Sequence, residues 1–385
     1  MTDDTRSVVD RAGADRRMTR TTLTSERGGI DAAIATFAEQ ATPKLLIIEV
    51  EEDASTLFAK LDRLAEICPP DTIVILLGAC NDVMLYRDLK RNGISEYLVT
   101  PIQPLELINS IADLFEEDTE RRAPVTAFVG ARGGAGTSTL AQNTAWLMAH
   151  RCSTSVLLID FDMAAGTCGF RLDLDPTMTV ATALEEGERL DKTVLDRMIQ
   201  RGDSGFSVLC SPADLTDISD YEMTNIRRLV DVARTMTSHV VLDLPSRWSR
   251  TIQGFLELAD QVVLVAAPDL VSLRNGGKIA QNMRRARPND PPPLLALSQI
   301  GVPRCQQIPP EQFTKTVGLD LRAEIPFDAA TFSAAENEGR LVAQAASGSG
   351  AAKSMAPLAS VLSGQEVKQS GRRRGLLPRL RRALS

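Results

Sequence analysis

The residues most able to do chemistry in this chain are Gly130-Ala131-Arg132-Gly133-Gly134-Ala135-Gly136-Thr137-Ser138-Thr139. Gly133, Gly134 and Gly136 can take backbone angles closed to other residues, so successive N–H groups can turn inward around a phosphate. A helical pattern starts at once behind them and aims its positive end at the same point. Such loops ordinarily end Gly-Lys-Ser/Thr, the lysine reaching the β- and γ-phosphates and the hydroxyl holding Mg2+. Here the cradle is Gly133, Gly134, Ala135, Gly136, Thr137, Ser138 and Thr139. Ser138 keeps the metal-side hydroxyl, and Thr137 stands where the lysine would be.

Two further sets of acids follow in an order that suits a phosphate site. The apolar run Ser155-Val156-Leu157-Leu158-Ile159 ends in Asp160-Phe161-Asp162, and two carboxylates at spacing two on an extended end face one side. His239-Val240-Val241-Leu242 ends in Asp243, which could open a turn or hold the water shell of a magnesium ion. Its place downstream of the loop and of Asp160 and Asp162 favours the metal. His150 and His239 belong to no motif and are expected to be structural.

These groups must be carried on strand tips, and the chain alternates the right elements. Strand-sized apolar runs occur at 43–50, 72–78, 96–99, 125–130, 155–159, 206–211, 239–243, 259–267 and 294–300, with a short one at 323–328. Helical patterns lie between most of them, which predicts an α/β fold with parallel strands covered on both faces. Met18–Leu23 reads as a short strand, residues 1–18 as weakly patterned and at best one exposed helix. Ala345–Ala352 reads as a flexible loop before a last helix at 356–363. The expected domains are 1–117, a linker at 118–123, 124–363, and a basic tail at 364–385.

The front block resembles a response-regulator receiver domain (a flavodoxin-like fold), Tyr97-Leu98-Val99-Thr100-Pro101-Ile102 standing where that family has a strand, lysine and proline. Its chemistry is missing. Glu49 or Val50 stands at the place of the nucleophilic aspartate, Gly78 at the hydroxyl residue and Thr100 at the lysine. A degenerate receiver used for dimerisation or docking is therefore expected.

The ordered set Arg132 to Thr139, Leu158-Ile159-Asp160-Phe161-Asp162 and Val241-Leu242-Asp243-Leu244-Pro245 resembles the MinD/ParA class of ATPases. That class carries a deviant loop, Lys-Gly-Gly-x-Gly-Lys-Ser/Thr, whose first lysine reaches across a dimer to the partner's nucleotide. Arg132 stands at that lysine. The receiver-like front, the wording Gly-Ala-Arg-Gly-Gly and the segment Glu324-Ile325-Pro326-Phe327-Asp328 resemble the CpaE/TadZ branch, which helps localise and assemble tight-adherence (Flp-type) pilus secretion machinery. The resemblance spans Gly28 to Leu341. It implies ATP and Mg2+, a homodimer, and partners in the pilus machinery. It also implies that Asp160 orients the attacking water or couples to the dimer partner, that Asp162 lies in a switch region, and that Asp243 holds magnesium through water. The strand that usually ends Leu-Asn-Arg reads Leu297-Ser298-Gln299, which leaves base recognition open. Without the loop cation, ATP binding with slow or no turnover is expected. An active cargo-positioning ATPase is the alternative.

Composition narrows the classes. Of 385 residues, 43% are apolar and 24% charged, ordinary for globular domains. No apolar run approaches a membrane span. The acidic start Met1-Thr2-Asp3-Asp4 has no signal core, which predicts a cytoplasmic protein. Six scattered cysteines lack metal spacing and are expected to be reduced. Net charge is −7, yet the last twenty residues hold seven Lys/Arg against one Glu, leaving −13 on the rest. An acidic body argues against nucleic acid, so a DNA-partitioning role is disfavoured. In the tail, Leu377, Leu380 and Leu384 share one face of a helix begun at Pro378, flanked by Arg379 and Arg382. That is the pattern of a helix lying on an anionic membrane at the inner face of the cell; a disordered, solubilising end is the alternative.

Overall fold

The computed structural model describes residues 1–18, 21–51, 54–115, 122–202, 204–212, 214 and 221–364. The chain divides into two compact units, Met1–Arg121 with Arg284–Pro291, and Arg122–Met283 with Pro292–Ser385.

The first unit contains α1 (Asp3–Gly13), α2 (Gly29–Phe37), β1 (Leu45–Val50), α3 (Ala54–Ile67), β2 (Ile73–Gly78), α4 (Val83–Arg91), β3 (Glu96–Val99) and α5 (Pro104–Phe115). Its sheet has three strands in the order β1-β2-β3, all parallel. The parallel strands are short because each is buried and punctuated by Gly, Pro or Asp. Of the expected strand at Met18–Leu23, the described residues are in no strand, and residues 19 and 20 lie outside them. Met18 closes a 3-10 turn, Arg16–Met18, and is buried there. Residues 1–18, read as weakly patterned, form a working core helix. Thr5, Val9 and Ala12 share one face of α1 and are buried, the last two with Ile75, Leu77 and Ile108. The segment 284–291 belongs to this unit, whereas the sequence placed it in the second domain. It is tied in by Asp290, which pairs with Arg16, Arg17 and Arg287, and by Asn289, which donates to Asp15.

The second unit begins with β4 (Val125–Gly130), α6 (Thr137–Cys152), β5 (Val156–Asp160), α7 (Cys168–Arg171), α8 (Val180–Glu186), α9 (Lys192–Asp196), β6 (Gln200–Arg201) and β7 (Phe206–Leu209). It continues with α10 (Met223–Arg234), β8 (His239–Asp243), α11 (Arg250–Leu258), β9 (Gln261–Ala266), α12 (Leu270–Ala286) and β10 (Leu294–Ile300). It closes with α13 (Pro310–Val317), β11 (Asp320–Pro326), α14 (Ala329–Asn337), α15 (Val342–Ala345) and α16 (Gly350–Leu362). The strand order is β11-β10-β9-β4-β8-β5-β7-β6, parallel throughout except the β6–β7 pair. β4, β5 and β8 are buried along their whole length, which is why each is mainly apolar, with Thr126, His239, Asp160 and Asp243 as the buried polar exceptions. One apolar cluster lies on each face of the sheet. Burying each large side chain there contributes about 1.5–3 kcal/mol.

Of the expected loop at Ala345–Ala352 only residues 346–349 form a turn; Ala345 ends α15 and Gly350 begins α16. Ser349 caps α16 by accepting from the Ala352 N–H at 3.1 Å, and Ala351 and Ala352 are fully buried. Small side chains let α16 approach α6 closely; they mark packing, not flexibility. The six cysteines form no disulfide; Cys152, Cys168 and Cys210 are buried. Among the described residues no helix is long and apolar enough to cross a membrane. The tail at 365–385, with Leu377, Leu380, Leu384, Arg379 and Arg382, lies outside the described residues, as does most of the expected linker.

Candidate functional site

The glycine loop joins the central strand β4 to α6, at the carboxyl end of the sheet between β8 and β9. In open α/β sheets this is where ligands bind. Gly134 and Gly136 have φ of 73° and 84°, so these two positions need glycine. Gly130 needs it for a different reason: a Cβ there would lie 2.5 Å from Thr137 Oγ1 and 3.1 Å from the Arg132 carbonyl. Of the three loop glycines expected to need special backbone angles, Gly134 and Gly136 have them and Gly133 does not.

The loop's carbonyls are held from outside. Asn275 Nδ2 donates to the Ala131 carbonyl at 3.0 Å, and Gln299 Nε2 to that of Gly134 at 2.6 Å. Ser298 Oγ donates to the Ala135 carbonyl. With the carbonyls turned outward, the N–H groups of residues 133–136 find no protein acceptor among the described residues. Gly133 and Gly134 are exposed to water, whereas Ala135 is buried and Gly136 half-buried, and amides of the latter kind are costly unless an anion meets them. Ser298 and Gln299 thus serve the loop, which explains why they do not read as a base-recognition pair. Nothing in the sequence marked Asn275 or these two as braces, because their partners are distant in the chain.

The acids are brought together as expected, but in unlike states. Asp160 and Asp243 end adjacent strands in register. Asp160 is fully buried and satisfied by its own chain. It accepts from the Asp162 N–H at 3.0 Å, the Cys168 N–H at 3.2 Å and the Ser211 hydroxyl at 3.4 Å. Burial outweighs these bonds and, with Asp162 nearby, pushes its pKa up to about 6. Asp162 caps the following turn by accepting from the Ala165 N–H at 3.2 Å. Gly166 closes that turn so tightly that a Cβ would lie 1.8 Å from Ser211 Oγ and 2.6 Å from Asp160 Oδ2.

Asp243 is also sealed from solvent, and neither of its carboxylate oxygens has a hydrogen-bond partner among the described residues. Burial and then Asp160 drive its pKa well above the carboxylate range, while Ser138 and Arg171 offset only part of that. A carboxylate in this state needs a proton or a cation. Ser138 and Asp243 offer hard oxygen donors at the foot of the loop, and the donor set fits magnesium. Among the described residues no cluster of three His, Cys, Asp or Glu could hold a metal unaided. Phosphate oxygens and water would complete the shell.

The cations are placed less simply. Arg132 does not reach into the loop. Its Nε bonds Asp269 Oδ2 at 2.9 Å and one terminal nitrogen bonds the Gly133 carbonyl at 2.9 Å. Burial works to raise the Asp269 pKa, but the Ser272 N–H and Arg132 hold it below the usual value. Thr137 is buried beneath the loop, and Thr139 Oγ1 accepts from Arg171 Nη1 at 2.7 Å. His239 sits at the opposite end of β8, bonded to Thr126 Oγ1 at 2.9 Å, and burial lowers its pKa to about 4. It is structural, as expected.

Beside the loop opens a cavity of about 300 Å³, lined by Gly136, Thr139, Arg171, Ile325, Phe327 and Phe332 among others. Its mostly apolar wall and polar edge suit a flat heterocycle attached to phosphates.

No protein-family model matches the chain, and no curated protein sequence does. Solved structures do. The chain is similar to a ParA family ATPase from Chlorobium tepidum TLS, with 23% identity and a TM-score of 0.57 over 62% of this chain and 98% of that one. It is similar to the septum site-determining protein MinD from Pyrococcus horikoshii OT3, solved with Mg-ADP, with 18% identity and a TM-score of 0.55 over 62% of this chain and 96% of that one. It also matches a pilus assembly protein CpaE from Caulobacter crescentus CB15 at 39% identity, over 30% of this chain and 93% of that one, with a TM-score of 0.29. The first two likenesses establish the fold. The solved structures similar to this chain thus include MinD/ParA ATPases, whose fold it shares, and CpaE pilus assembly proteins.

Proposed function

We propose that this protein is a nucleotide-binding localisation and assembly factor for a Flp or tight-adherence pilus secretion system, which binds ATP with Mg2+ and hydrolyses it slowly or not at all. The observation that carries the nucleotide part is Asp243: a buried carboxylate without a partner, next to Ser138, beneath a loop whose amides lack acceptors. Ser138 and Asp243 would hold Mg2+, which would supply charge neutralisation at the phosphates. The chain's own groups would act by position. The loop amides receive the phosphates, Thr139 stands in the first turn of α6, and the neighbouring cavity takes the base and sugar.

Weak turnover follows from Thr137, which puts a neutral hydroxyl where charge should be stabilised in phosphoryl transfer. Asp160, already holding two backbone N–H groups, is poorly free to orient a water. Pilus assembly is the role printed for the CpaE relative and supports that part of the reading. Cytoplasmic residence, dimerisation through a nucleotide face that includes Arg132, and contact of the basic, leucine-bearing tail with an anionic membrane complete the proposal. Light scattering of the purified full chain should show a dimer with Mg-ATP and a monomer without it. In the source cell, deletion should abolish surface pilus fibres. A deletion strain with normal fibres would sink the pilus assignment, and an unchanged mass would sink the nucleotide-dependent dimer. Liposomes containing anionic lipid should sediment the full chain and not one ending at Ser370.

A further inference from the structure

The loop has no lysine, and the Arg132 guanidinium is engaged by Asp269 and by the Gly133 carbonyl of the loop itself. A site for a polyanion beside three carboxylates, Asp160, Asp162 and Asp243, would then have no positive side chain of its own. Arg171, which no motif announced, changes that balance. It ends the short helix α7, and its Nη1 lies 2.7 Å from Thr139 Oγ1 in the first turn of α6. Its Nε pairs with Glu336 Oε1 at 3.1 Å, which fixes the plane of the guanidinium. Nη2 has no protein partner among the described residues. The side chain is only 22% exposed and lines the cavity with Gly136 and Thr139. Its charge is felt at Asp243. Arg340 also lines the cavity, but it is 46% exposed and paired with Glu338.

We propose that Arg171 is the phosphate-binding cation of this site, delivered from α7 to the first turn of α6 in place of the lysine that the loop lacks. A guanidinium suits the task because its donors form a planar fork that can bridge a hydroxyl and a phosphate oxygen at once. Glu336 keeps the fork oriented in the ligand-free chain. The proposal rests on the reading that the loop binds a nucleotide.

The test compares wild type, Arg171→Ala, Arg171→Lys and the double variant Arg171→Ala with Thr137→Lys, titrated with Mg-ATP by calorimetry and with adenosine by ligand-observed NMR. Arg171→Ala should weaken Mg-ATP about ten- to hundred-fold, as expected for a charge-assisted hydrogen bond. Adenosine, which has no phosphate, should bind unchanged, Arg171→Lys should recover part of the loss, and the double variant should recover most of it. Equal Mg-ATP affinity for wild type and Arg171→Ala would overturn the proposal and leave the loop's role standing. So would equal weakening of Mg-ATP and adenosine, which marks a merely structural Arg171. Wild type that binds no Mg-ATP would instead overturn the reading on which it rests.

Discussion

Each unit has a parallel sheet whose strand tips hold acids, and the two sets of acids are treated in opposite ways. In the first unit Glu49, next to the last residue of β1, accepts from the Thr2 N–H, from the Thr2 hydroxyl at 2.9 Å and from the Thr5 hydroxyl. Burial works to raise its pKa, yet the Thr5 and Thr2 bonds hold it below the usual value. In the second unit Asp243 is sealed from solvent, Ser138 and Arg171 offset its burial only in part, and its pKa climbs. An acid satisfied by its own chain is part of the structure, whereas one buried without a partner is waiting for something. At the first cleft the start of α1 supplies the partners of the acid, and at the second no protein group among the described residues does.

The signs of the pKa shifts make this difference measurable. Glu49, with a depressed folded pKa, stabilises the first unit above its unfolded value of 4.5, and that contribution is lost as pH falls through the lower folded pKa. Asp160 and Asp243, with raised folded pKa values, stabilise the second unit below their unfolded value of 3.8. Their contribution is lost as pH rises through the folded values, about 6 for Asp160. Where the two windows overlap, below 4.5 and above 3.8, the two units should respond to pH with opposite slopes.

The largest expected effect is at Gly166. Gly166→Val should destabilise the second unit by more than about 3 kcal/mol, since the turn that satisfies Asp160 has no room for a Cβ. Urea unfolding followed by hydrogen exchange should show the loss in that unit, with the first unit unaffected. Asp243→Asn should raise the ligand-free stability at pH 7.5 by about 1–3 kcal/mol, because an unpartnered buried charge is removed. The gain should vanish toward pH 4, and Mg2+-dependent nucleotide binding should be lost. A variant less stable than wild type at pH 7.5 would mean that Asp243 is satisfied after all. Thr137→Lys should tighten Mg-ATP about tenfold and raise phosphate release above background. Thr5→Val is the mildest change. It should lower the stability of the first unit by about 1 kcal/mol and leave nucleotide binding unchanged. Any effect on binding would blur the distinction between the two clefts.

The strands were legible because parallel, doubly covered strands must be mainly apolar, as β4, β5 and β8 are. Helices were legible where one face is apolar over three or more turns, as in α10 and α12. Two helices, α11 and α13, went unremarked, being only nine and eight residues long. α16 was read six residues too short because its small residues, Ala351 and Ala352, suit a flexible loop and a close helix contact equally well. The i, i+4, i+7 spacing of Thr5, Val9 and Ala12 was a signal for α1 that the charged residues around it hid. At the site, Ser138, Asp160, Asp162 and Asp243 could be named because they follow strands in a fixed order. Asn275, Ser298, Gln299 and Arg171 could not, since each acts on a residue far away in the chain. Sequence also placed Arg132 at the loop, but could not show that Asp269 engages it.

The measurement that tests the account most directly is calorimetric titration of the purified full chain with Mg-ATP, run beside a phosphate-release assay on the same sample. One ATP bound per chain, with binding dependent on Mg2+ and phosphate release near background, is the predicted result. Absence of binding, or turnover at the rate of an active MinD/ParA ATPase, would contradict it.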